Sequence, residues 1–401
     1  MARENTDILI AGGGIAGLTA AAAFGTAGFN VICIDPAAPV IEAAAQGADL
    51  RTTAFLQPAR NFLDFAGLWT RLAAFATPLQ VMRIVDVAGE TAVARDFDAA
   101  DISDLPFGWN LANWLLRREI LARIAELPQV RFRPGVGFAR MLTRQATALV
   151  TLTDGTQISA RLVIGADGRA SPVRDAAGIG VKTTRYGQKA LTFAVTHARP
   201  HDNISTEIHR SGGPFTLVPL PDHQGLPCSS VVWMEHGAEV LRLAVLDPSA
   251  FETAATARSA HLYGPLKLVS RRQIWPIISQ IADKMAAERV ALVAEAAHVL
   301  PPIGAQGLNM SLADVACLLD LATARPDGLG DSKMLDAYTK RRRHPEAAVR
   351  VAGIDALNRA SMAESPLVHA LRAAGIKALH DATPIRRGLM KLGLGATAPG
   401  R

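Results

Sequence analysis

The chain has 401 residues, of which 49% are hydrophobic and 19% charged, and its formal net charge is +6. This length exceeds what one hydrophobic core usually supports, so two linked domains are expected. The positive charge is spread along the chain and aromatic residues make up only 5%. This pattern disfavours a nucleic-acid partner and fits attraction to anionic ligands or to a membrane surface.

The chain begins with a predicted strand, a glycine turn and a helix. The apolar run Ile8–Ala11 ends in Gly12-Gly13-Gly14, and a helix of small residues is predicted over Ile15–Thr26. A second strand, Val31–Ile34, is followed by Asp35, about 20 residues beyond the turn. Strand, glycine loop, helix, strand and carboxylate in this order predict the βαβ unit that binds the ADP half of a dinucleotide.

Each residue type in this unit has a physical reason. Gly12 permits a tight turn where a Cβ would clash, Gly14 lets the backbone approach a pyrophosphate, and Gly17 lets the helix pack closely. The helix N-terminus offers free N–H groups to the phosphates. Asp35 can accept hydrogen bonds from a ribose diol and repels a 2′-phosphate, which leaves FAD or NAD as the nucleotide. The nucleotide-binding residues predicted here are Gly12, Gly14, Ile15, Ala16, Gly17 and Asp35.

Beyond Asp35 the pattern of elements changes twice. A β-rich stretch with turn signals runs from about Arg185 to Leu246, and helices dominate from Ser311. The predicted strand Val290–Val293 returns the chain to the first sheet, so the β-rich part is an insertion. The other predicted elements are helices Gln57–Phe65 and Asn113–Leu127 and strands Val81–Val87, Thr91–Phe97, Val130–Phe132, Ala148–Leu152 and Gln157–Ile164.

The three cysteines, Cys33, Cys228 and Cys317, are far apart and form no CxxC or Cys/His cluster. No metal site and no disulfide framework are predicted, and reduced thiols suit a cytoplasmic location. The first apolar run is interrupted by glycines and lacks a basic leader, so it is not expected to be a signal peptide. No uninterrupted apolar stretch of about 20 residues predicts a membrane span.

Two later segments predict further contacts with the same nucleotide. The first joins a strand end to a turn at Asp167-Gly168 and to a helix start, with Ser171 as N-cap and Pro172 as first helical residue. In the second, Glu295 follows a strand and the glycine-rich segment Gly304–Asn309 opens a helix. A carboxylate at a strand end can hold a ribityl hydroxyl, and helix N–H groups can face the electron-rich edge of a flavin.

These three segments, in this order and at this separation, resemble the class A flavin-dependent monooxygenases, which share the 4-hydroxybenzoate hydroxylase fold. Within that family the chain is similar to the ubiquinone-biosynthesis hydroxylases, and the resemblance covers essentially the whole sequence. Its most specific part is Pro301–Asn309. The other segments that carry it are Asp49–Ala54, Asn113–Leu116, Tyr186–Ala190, Pro200-His201, Gly213-Pro214, Pro219-Leu220, Val232-Trp233, Leu371–Gly375, Pro384, Leu389-Met390 and Leu394-Gly395.

The resemblance implies an α/β fold with an FAD-binding Rossmann-like domain, an inserted β-sheet substrate domain and a helical C-terminal tail. The predicted boundaries are residues 1–75, 101–180 and 275–330 for the FAD-binding domain, 76–100 and 181–274 for the substrate domain, and 331–401 for the C-terminal region. The family's Gly-Asp motif is replaced here by Ala294-Glu295. Glu295 keeps the charge of the motif. Ala294 places a side chain where the strand approaches the loop, so it narrows that approach. A third departure is His209, which stands where the branch usually has an apolar aromatic residue.

The resemblance also implies a chemistry. FAD is the bound cofactor and NAD(P)H a transient co-substrate, and the reduced flavin adds O₂ to form a C4a-hydroperoxide that hydroxylates a phenol ring. Asp167 would serve FAD and NAD(P)H, and Pro302 would border the substrate beside the flavin as the predicted catalytic residue. The remaining predicted cofactor contacts are Arg51, Asn113, Glu295, Gly304, Gln306, Gly307, Leu308 and Asn309.

Other interpretations of single residues compete with these. Asn113 heads a predicted helix, where capping is its ordinary role. His298 is expected to be a structural hydrogen-bonding histidine rather than an acid or base. The run Lys340–His344 is expected to be a solvated helix face rather than an anion site. The tail Ile376–Leu394 alternates apolar and basic residues, so it can lie on a membrane surface or pack against the flavin domain.

The leading hypothesis is an FAD monooxygenase that hydroxylates a prenylated phenol on the way to ubiquinone, in the cytoplasm or peripheral to the inner membrane. The alternatives are an aromatic hydroxylase of a small soluble phenol, a non-catalytic assembly subunit of a quinone-biosynthesis complex, and a flavin reductase of isoprenoid chains. The sequence leaves open the ring position, the prenyl length, the choice of NADH or NADPH and the oligomeric state.

Overall fold

The computed structural model describes residues 3–87, 92–210, 212–343, 348–362, 375 and 380–393. The strands are β1 (Arg3–Ala11), β2 (Val31–Asp35), β3 (Thr52–Leu56), β4 (Thr77–Leu79), β5 (Val81–Asp86), β6 (Val93–Asp98), β7 (Gly108–Ala112), β8 (Val130–Pro134), β9 (Phe138–Thr143), β10 (Ala148–Leu152), β11 (Gln157–Gly165), β12 (Val181–Thr196), β13 (Ile204–His209), β14 (Phe215–His223), β15 (Leu226–His236), β16 (Lys267–Leu268), β17 (Gln273–Ala282), β18 (Ala286–Ala287), β19 (Val290–Leu292) and β20 (His298–Val299).

The helices are α1 (Ile15–Thr26), α2 (Gln57–Phe65), α3 (Trp69–Leu72), α4 (Asn113–Ala125), α5 (Pro172–Ala176), α6 (Gly237–Ala244), α7 (Pro248–Arg258), α8 (Gln306–Ala324), α9 (Ser332–Arg342), α10 (Ala348–Met362) and α11 (Thr383–Gly393). Short 3₁₀ turns lie at Ala73–Phe75, Ala99–Asp101, Ala294–Ala296 and Pro326–Gly328. The turn of the predicted hairpin, residues 88–91, and the tail segment 363–374 lie outside the described residues.

The first sheet has the strand order β18-β19-β11-β1-β2-β8, and β10 and β9 extend it from β11. Strands β19, β11, β1, β2 and β8 run parallel. Ile8, Leu9 and Ile10 of β1 are fully buried, because helices cover both faces of a parallel sheet and its strands are therefore apolar without alternation. This sheet places the ends of β1, β2 and β11 at one edge, where the glycine turn lies.

The second sheet has the order β20-β17-β12-β15-β14-β13-β5-β6, with β16 beside β12. Its pairs are antiparallel except for β13 and β5. One face packs Leu191, Phe215 and Trp233 against Phe251 of α7. A third, small sheet, β3-β7-β4, joins the two larger ones, and its Thr52 hydroxyl lies 2.8 Å from the Ser230 hydroxyl of β15.

The predicted fold class is confirmed, including the helical C-terminal part. Helices α1 and α2 have their predicted bounds, and α4 ends two residues early. One prediction was wrong, because the β-rich stretch ends at His236 rather than Leu246. Several strands, among them β3, β7, β9 and β17, were not predicted. Helix α8 begins at Gln306, within the glycine-rich segment that was expected to open a helix. Residues 237–244 are helical because Val240 and Leu243, three apart, are buried on one face. The domain boundaries stay a prediction.

Helix α8 has the length and apolar composition of a membrane span, the one described helix that has both. Half of its apolar window is buried inside the protein, and Leu312, Val315 and Leu318 belong to the core beside the first sheet. The helix does not contradict the prediction of no uninterrupted apolar stretch of about 20 residues, because Asp314 and Asp320 interrupt its 19 residues.

Candidate active site

A cavity of about 1060 Å³ lies between the first and second sheets, and residues of the third sheet also line it. This volume is at the upper end of ligand pockets. All the predicted site residues line it except Asn309. They are Gly12, Gly14, Ile15, Ala16, Gly17, Asp35, Arg51, Asn113, Asp167, Glu295, Pro302, Gly304, Gln306, Gly307 and Leu308.

The glycine turn is packed too tightly for side chains at two of its positions. Gly12 has φ of +116°, and a Cβ there would lie 2.2 Å from the carbonyl oxygen of Ala166. A Cβ on Gly17 would lie 2.0 Å from the carbonyl oxygen of Gly12. A Cβ on Gly14 would meet no atom within 4 Å. The turn is therefore closed against β11 and open toward the cavity at the N-terminus of α1, where a pyrophosphate would bind.

Asp35 ends β2 beside this turn. Its Oδ2 accepts a hydrogen bond from Gly13 N at 2.6 Å, and its Oδ1 accepts one from Ala37 N at 2.8 Å. Since a carboxylate has about four acceptor positions, both oxygens keep capacity for a ribose diol. The backbone fixes the orientation of this carboxylate before any ligand binds.

An ion pair between the half-buried Arg51 and the buried Asp49 lies in the cavity wall. Arg51 Nε and Nη2 each donate to Asp49 at 2.8 Å, and the Arg51 guanidinium lies 3.8 Å above the ring centre of Trp275. Burial acts to raise the pKa of Asp49, but the Arg51 hydrogen bonds and charge lower it overall. The guanidinium is thus fixed by a carboxylate and an aromatic ring. The sequence analysis predicted neither Asp49 nor Trp275 as an anchor of Arg51, although Asp49 lies in the segment Asp49–Ala54 that carries the family resemblance.

Asn113 does not cap helix α4. Ala112 occupies the N-cap position and Asn113 is the first helical residue. The Asn113 amide donates to Asp49 at 3.0 Å and accepts from the Thr53 hydroxyl at 2.8 Å. The capping interpretation was therefore wrong, and Asn113 instead buttresses the Asp49–Arg51 pair.

Asp167 and Ser171 together form the start of helix α5. The Asp167 carboxylate accepts hydrogen bonds from the Ser171 hydroxyl and, at 3.0 Å, from Val173 N, while Ser171 Oγ accepts from Arg174 N at 2.9 Å. Ser171 is the N-cap with Pro172 following, as predicted. Burial raises the pKa of Asp167 despite these hydrogen bonds, so the negative charge is only partly compensated on the cavity side.

The Ala294-Glu295 pair lies in a 3₁₀ turn directly after β19. Ala294 has φ of +56°, a left-handed conformation that favours glycine. The replacement of the family's glycine therefore strains the backbone here. The Glu295 side chain is exposed and lines the cavity. Burial acts to lower the pKa of Arg51, but the hydrogen bonds to Asp49 raise it overall, with a smaller contribution from the charge of Glu295.

Asn309, one turn into α8, holds the helix to β3 and does not line the cavity. Its Oδ1 accepts from Leu56 N at 2.9 Å, and its Nδ2 donates to the carbonyls of Ala54 at 2.8 Å and Ala305 at 2.6 Å. These bonds position the loop before α8, in which Ala305 also has φ of +56°. A flavin contact of the Asn309 side chain stays a prediction.

His298 is a buried histidine that lies at the cavity wall. Its Nε2 lies 2.6 Å from Asp314 Oδ2, and Arg342 Nε donates to Asp314 Oδ1 at 2.7 Å. Asp314 is fully buried, and although burial acts to raise its pKa, the charges of His298 and Arg342 lower it. The network joins β20, α8 and α9, in keeping with the structural interpretation of His298. Arg342 belongs to this network rather than to a solvated face.

The wall formed by the second sheet was not predicted as a site. It combines apolar side chains with a few polar ones, and sequence reasoning singled out His209 there only as a departure from the family. The signal that could have found the wall is the period-2 alternation along β5, β13 and β14. Its members are Met82, Ile84, Phe97, Thr192, Ser205, Glu207, Thr216, Val218, Ser230 and Val232.

The residues fit FAD. An open helix N-terminus suited to a pyrophosphate, an oriented carboxylate at Asp35 suited to a ribose and an exposed carboxylate at Glu295 suited to a ribityl chain occur in one cavity. Within the described residues no cluster of His, Cys, Asp and Glu offers a metal site. The fold and the cavity therefore define the class, an FAD-dependent oxidoreductase.

The chain belongs to the FAD binding domain family, which it matches over residues 5–352. It is 34% identical to the ubiquinone hydroxylase UbiL of Rhodospirillum rubrum, over 97% of this chain and 89% of the relative. It is 26% identical to the 3-demethoxyubiquinol 3-hydroxylase of Escherichia coli, over 98% and 100% of the two chains. The resemblance to class A flavin monooxygenases of the ubiquinone branch is thereby confirmed.

A solved structure supports the fold. The p-nitrophenol 4-monooxygenase PnpA of Pseudomonas putida superposes with a TM-score of 0.79 at 20% identity, over 98% of this chain and 99% of that one. At this identity the likeness concerns the arrangement of helices and strands.

Proposed function

We propose that this protein is an FAD-dependent monooxygenase that hydroxylates the aromatic ring of a polyprenylphenol intermediate in ubiquinone biosynthesis, with NAD(P)H and O₂ as co-substrates. The observation that carries this proposal is the continuity of the cavity. The same space is lined by Gly12, Asp35 and Glu295 and by the apolar Met82 and Phe97 of the second sheet. A flavin and a hydrophobic ring substrate can therefore share it.

The protein's tasks are binding, orientation and exclusion of water, since the redox chemistry with O₂ belongs to the flavin when it is bound. The Gly12–Gly17 turn and Asp35 would hold the ADP half, and the N-terminus of α8 would face the flavin ring. Pro302 lines the cavity close in sequence to that helix, so it would border the ring substrate. It has no ionisable group and acts only through shape.

A prenyl tail needs an apolar exit, and we propose that it passes helix α11. Met390 and Gly393 of this helix line the cavity, and Ile385 is 52% exposed beside the exposed Arg387. An apolar and basic helix at a cavity mouth suits a peripheral position on an anionic membrane. These features support a cytoplasmic protein that lies at the surface of the inner membrane rather than a protein that spans it.

The direct test is lipid analysis of a strain that lacks the gene. The proposal predicts a reduced quinone pool and accumulation of a prenylated phenol that lacks one hydroxyl group, with both restored by the wild-type gene. Unchanged quinones and no phenolic intermediate would refute it. Stimulation of NAD(P)H oxidation by small soluble phenols, but not by prenylated ones, would instead favour a hydroxylase of small phenols.

A further inference from the structure

The second sheet contributes one carboxylate to the described lining of the cavity, that of Glu207 on β13. The register places it between Ile84 of β5 and Thr216 of β14. Because side chains alternate along a strand, Ser205, Glu207 and His209 lie on one face, and Ser205 and Glu207 line the cavity. The other acidic residues of the lining, Asp35, Asp49, Asp167 and Glu295, lie in the segments predicted to hold the flavin.

Glu207 is held in place by a histidine. His209 Nε2 lies 2.8 Å from Glu207 Oε1, and the two residues are only 8% and 6% exposed. His209 Nδ1 is buried without a hydrogen-bond partner among the described residues, so Glu207 is the strong contact of this imidazole. The register sets the buried Asp86 of β5 directly across from His209, which adds a further acidic residue beside the imidazole.

One oxygen of Glu207 has no such contact. Within the described part of the chain no group hydrogen-bonds to Oε2, although the side chain lines the cavity. A carboxylate removed from bulk water is stabilised by hydrogen-bond donors. The strand partners of Glu207 are the apolar Ile84 on β5 and Thr216 on β14. Water or a ligand that enters the cavity therefore supplies the donor at Oε2.

We propose that Glu207 is a catalytic residue that binds the ring hydroxyl of the substrate, with His209 as the residue that positions it. This inference rests on the proposed function for the presence of a phenol. The phenol O–H donates to Oε2, the O–H bond breaks, and the proton forms a new O–H bond on Glu207 while the ring carbon forms a C–O bond to one oxygen atom of O₂, which the reduced flavin would deliver. The resulting dienone regains aromaticity when its carbonyl oxygen takes the proton back from Glu207 and the hydrogen of the hydroxylated carbon leaves as a proton, which ends in water with the second oxygen atom of O₂ and the electrons of NAD(P)H.

The test compares a phenol with its methyl ether, which lacks the donor and is larger by one methyl group, so the comparison of wild type with Glu207→Gln separates the hydrogen bond from the difference in size. The probes are 2-geranylphenol and 2-geranylanisole, and binding is followed by the change in flavin absorbance of the FAD-loaded protein. Wild type is expected to bind the phenol about tenfold or more tightly than the ether, the value of one hydrogen bond to a charged group. In Glu207→Gln this preference should fall to about twofold and hydroxylation should decrease more than phenol binding, because the amide cannot take the proton.

Two further variants keep the outcome clear. Glu235→Gln changes a glutamate of the same sheet that does not line the cavity, and it should retain the preference. Glu207→Asp keeps a proton acceptor and should recover part of the hydroxylation that Glu207→Gln loses. An equal preference in wild type and Glu207→Gln, with flavin content unchanged, would overturn this inference alone. Failure of wild type to hydroxylate either probe or any prenylated phenol would instead count against the proposed function.

Discussion

The two sides of the cavity are built differently. On the flavin side, Gly12, Gly17 and Asp35 lie within one short stretch, and their positions follow from backbone contacts of 2.6 Å or from spaces that no Cβ could fill. On the ring side, Glu207 and Ile84 are brought together by strand pairing across more than a hundred residues. Apart from the close approach of Ala166 to Gly12, the first side is fixed locally, and the second depends on the register between distant strands.

This difference explains why a dinucleotide site can be recognised in a sequence whereas a substrate site cannot. A phosphate loop needs backbone conformations that only certain residues allow, so its residue types are constrained at fixed spacings. A sheet wall needs only alternation, and any side chain of suitable size can occupy a given position. The predictions below test this contrast, from the largest expected effect to the smallest.

The largest effect should come from the buried network that anchors the returning chain. Asp314→Ala removes the buried carboxylate that neutralises Arg342 and contacts His298 in the core, so the free energy of unfolding should fall by about 3–5 kcal/mol. Chemical denaturation checks this. The control is Asp247→Ala, which removes only the N-cap of α7 and should cost about 1 kcal/mol. Equal losses of unfolding free energy in both variants would show that the Asp314 network contributes no more to stability than a helix N-cap does.

The same aspartate predicts a pH dependence. The His298 and Arg342 charges lower the folded pKa of Asp314 against the opposing effect of burial, so its contribution to stability is fully present above the unfolded pKa of about 3.9. That contribution is lost as pH falls through the folded pKa. The loss of thermal stability on acidification should therefore be smaller in Asp314→Asn than in wild type, and identical profiles would contradict this assignment.

Substitutions in the glycine turn should affect folding at one position and ligand binding at another. Gly12→Ala places a Cβ on the Ala166 carbonyl in a strained conformation, so stability should fall by about 3 kcal/mol or more. Gly14→Ala meets no atom within 4 Å, so stability should change by about 1 kcal/mol at most while FAD affinity falls. Thermal melts and flavin titration check both. A Gly14→Ala protein with unchanged FAD affinity would show that the pyrophosphate does not approach here.

A smaller effect is expected on binding of the ribose of FAD. Asp35→Asn removes a charged acceptor, and the dissociation constant for FAD should rise about tenfold. The exposed Asp104→Asn serves as the control and should leave FAD affinity unchanged. An unaltered constant in Asp35→Asn would mean that the carboxylate serves only Gly13 and Ala37.

Particular residues show how much of the fold and of the site could be predicted from the sequence. Strands β1, β2, β10 and β11, helices α1 and α2 and the Ser171 cap were predictable because local periodicity and capping chemistry determine them. Helix α6 was taken for strand, since an eight-residue apolar pattern fits either period. The Asp49 anchor of Arg51, the Trp275 ring above it and the Glu207–His209 pair depend on tertiary contacts or on strand register, and no local pattern marks them.

The smallest effect should be a gain. Ala294→Gly relieves a left-handed conformation at φ of +56°, so the free energy of unfolding should rise by about 1 kcal/mol. Ala291→Gly in the adjacent β19 has no such strain and should instead lower it by about 0.5–1 kcal/mol. Matched denaturation curves distinguish the two. A loss in both would show that Ala294 is packed favourably rather than strained.

The central claim is that one cavity brings flavin, O₂ and a prenylated phenol together. It is tested most directly by incubating the FAD-loaded protein with NADPH, ¹⁸O₂ and 2-geranylphenol, followed by mass spectrometry of the products. The account predicts a hydroxylated phenol that carries one ¹⁸O atom from O₂. Consumption of NADPH with hydrogen peroxide as the sole oxygen product, for this phenol and for longer prenylated ones, would contradict it.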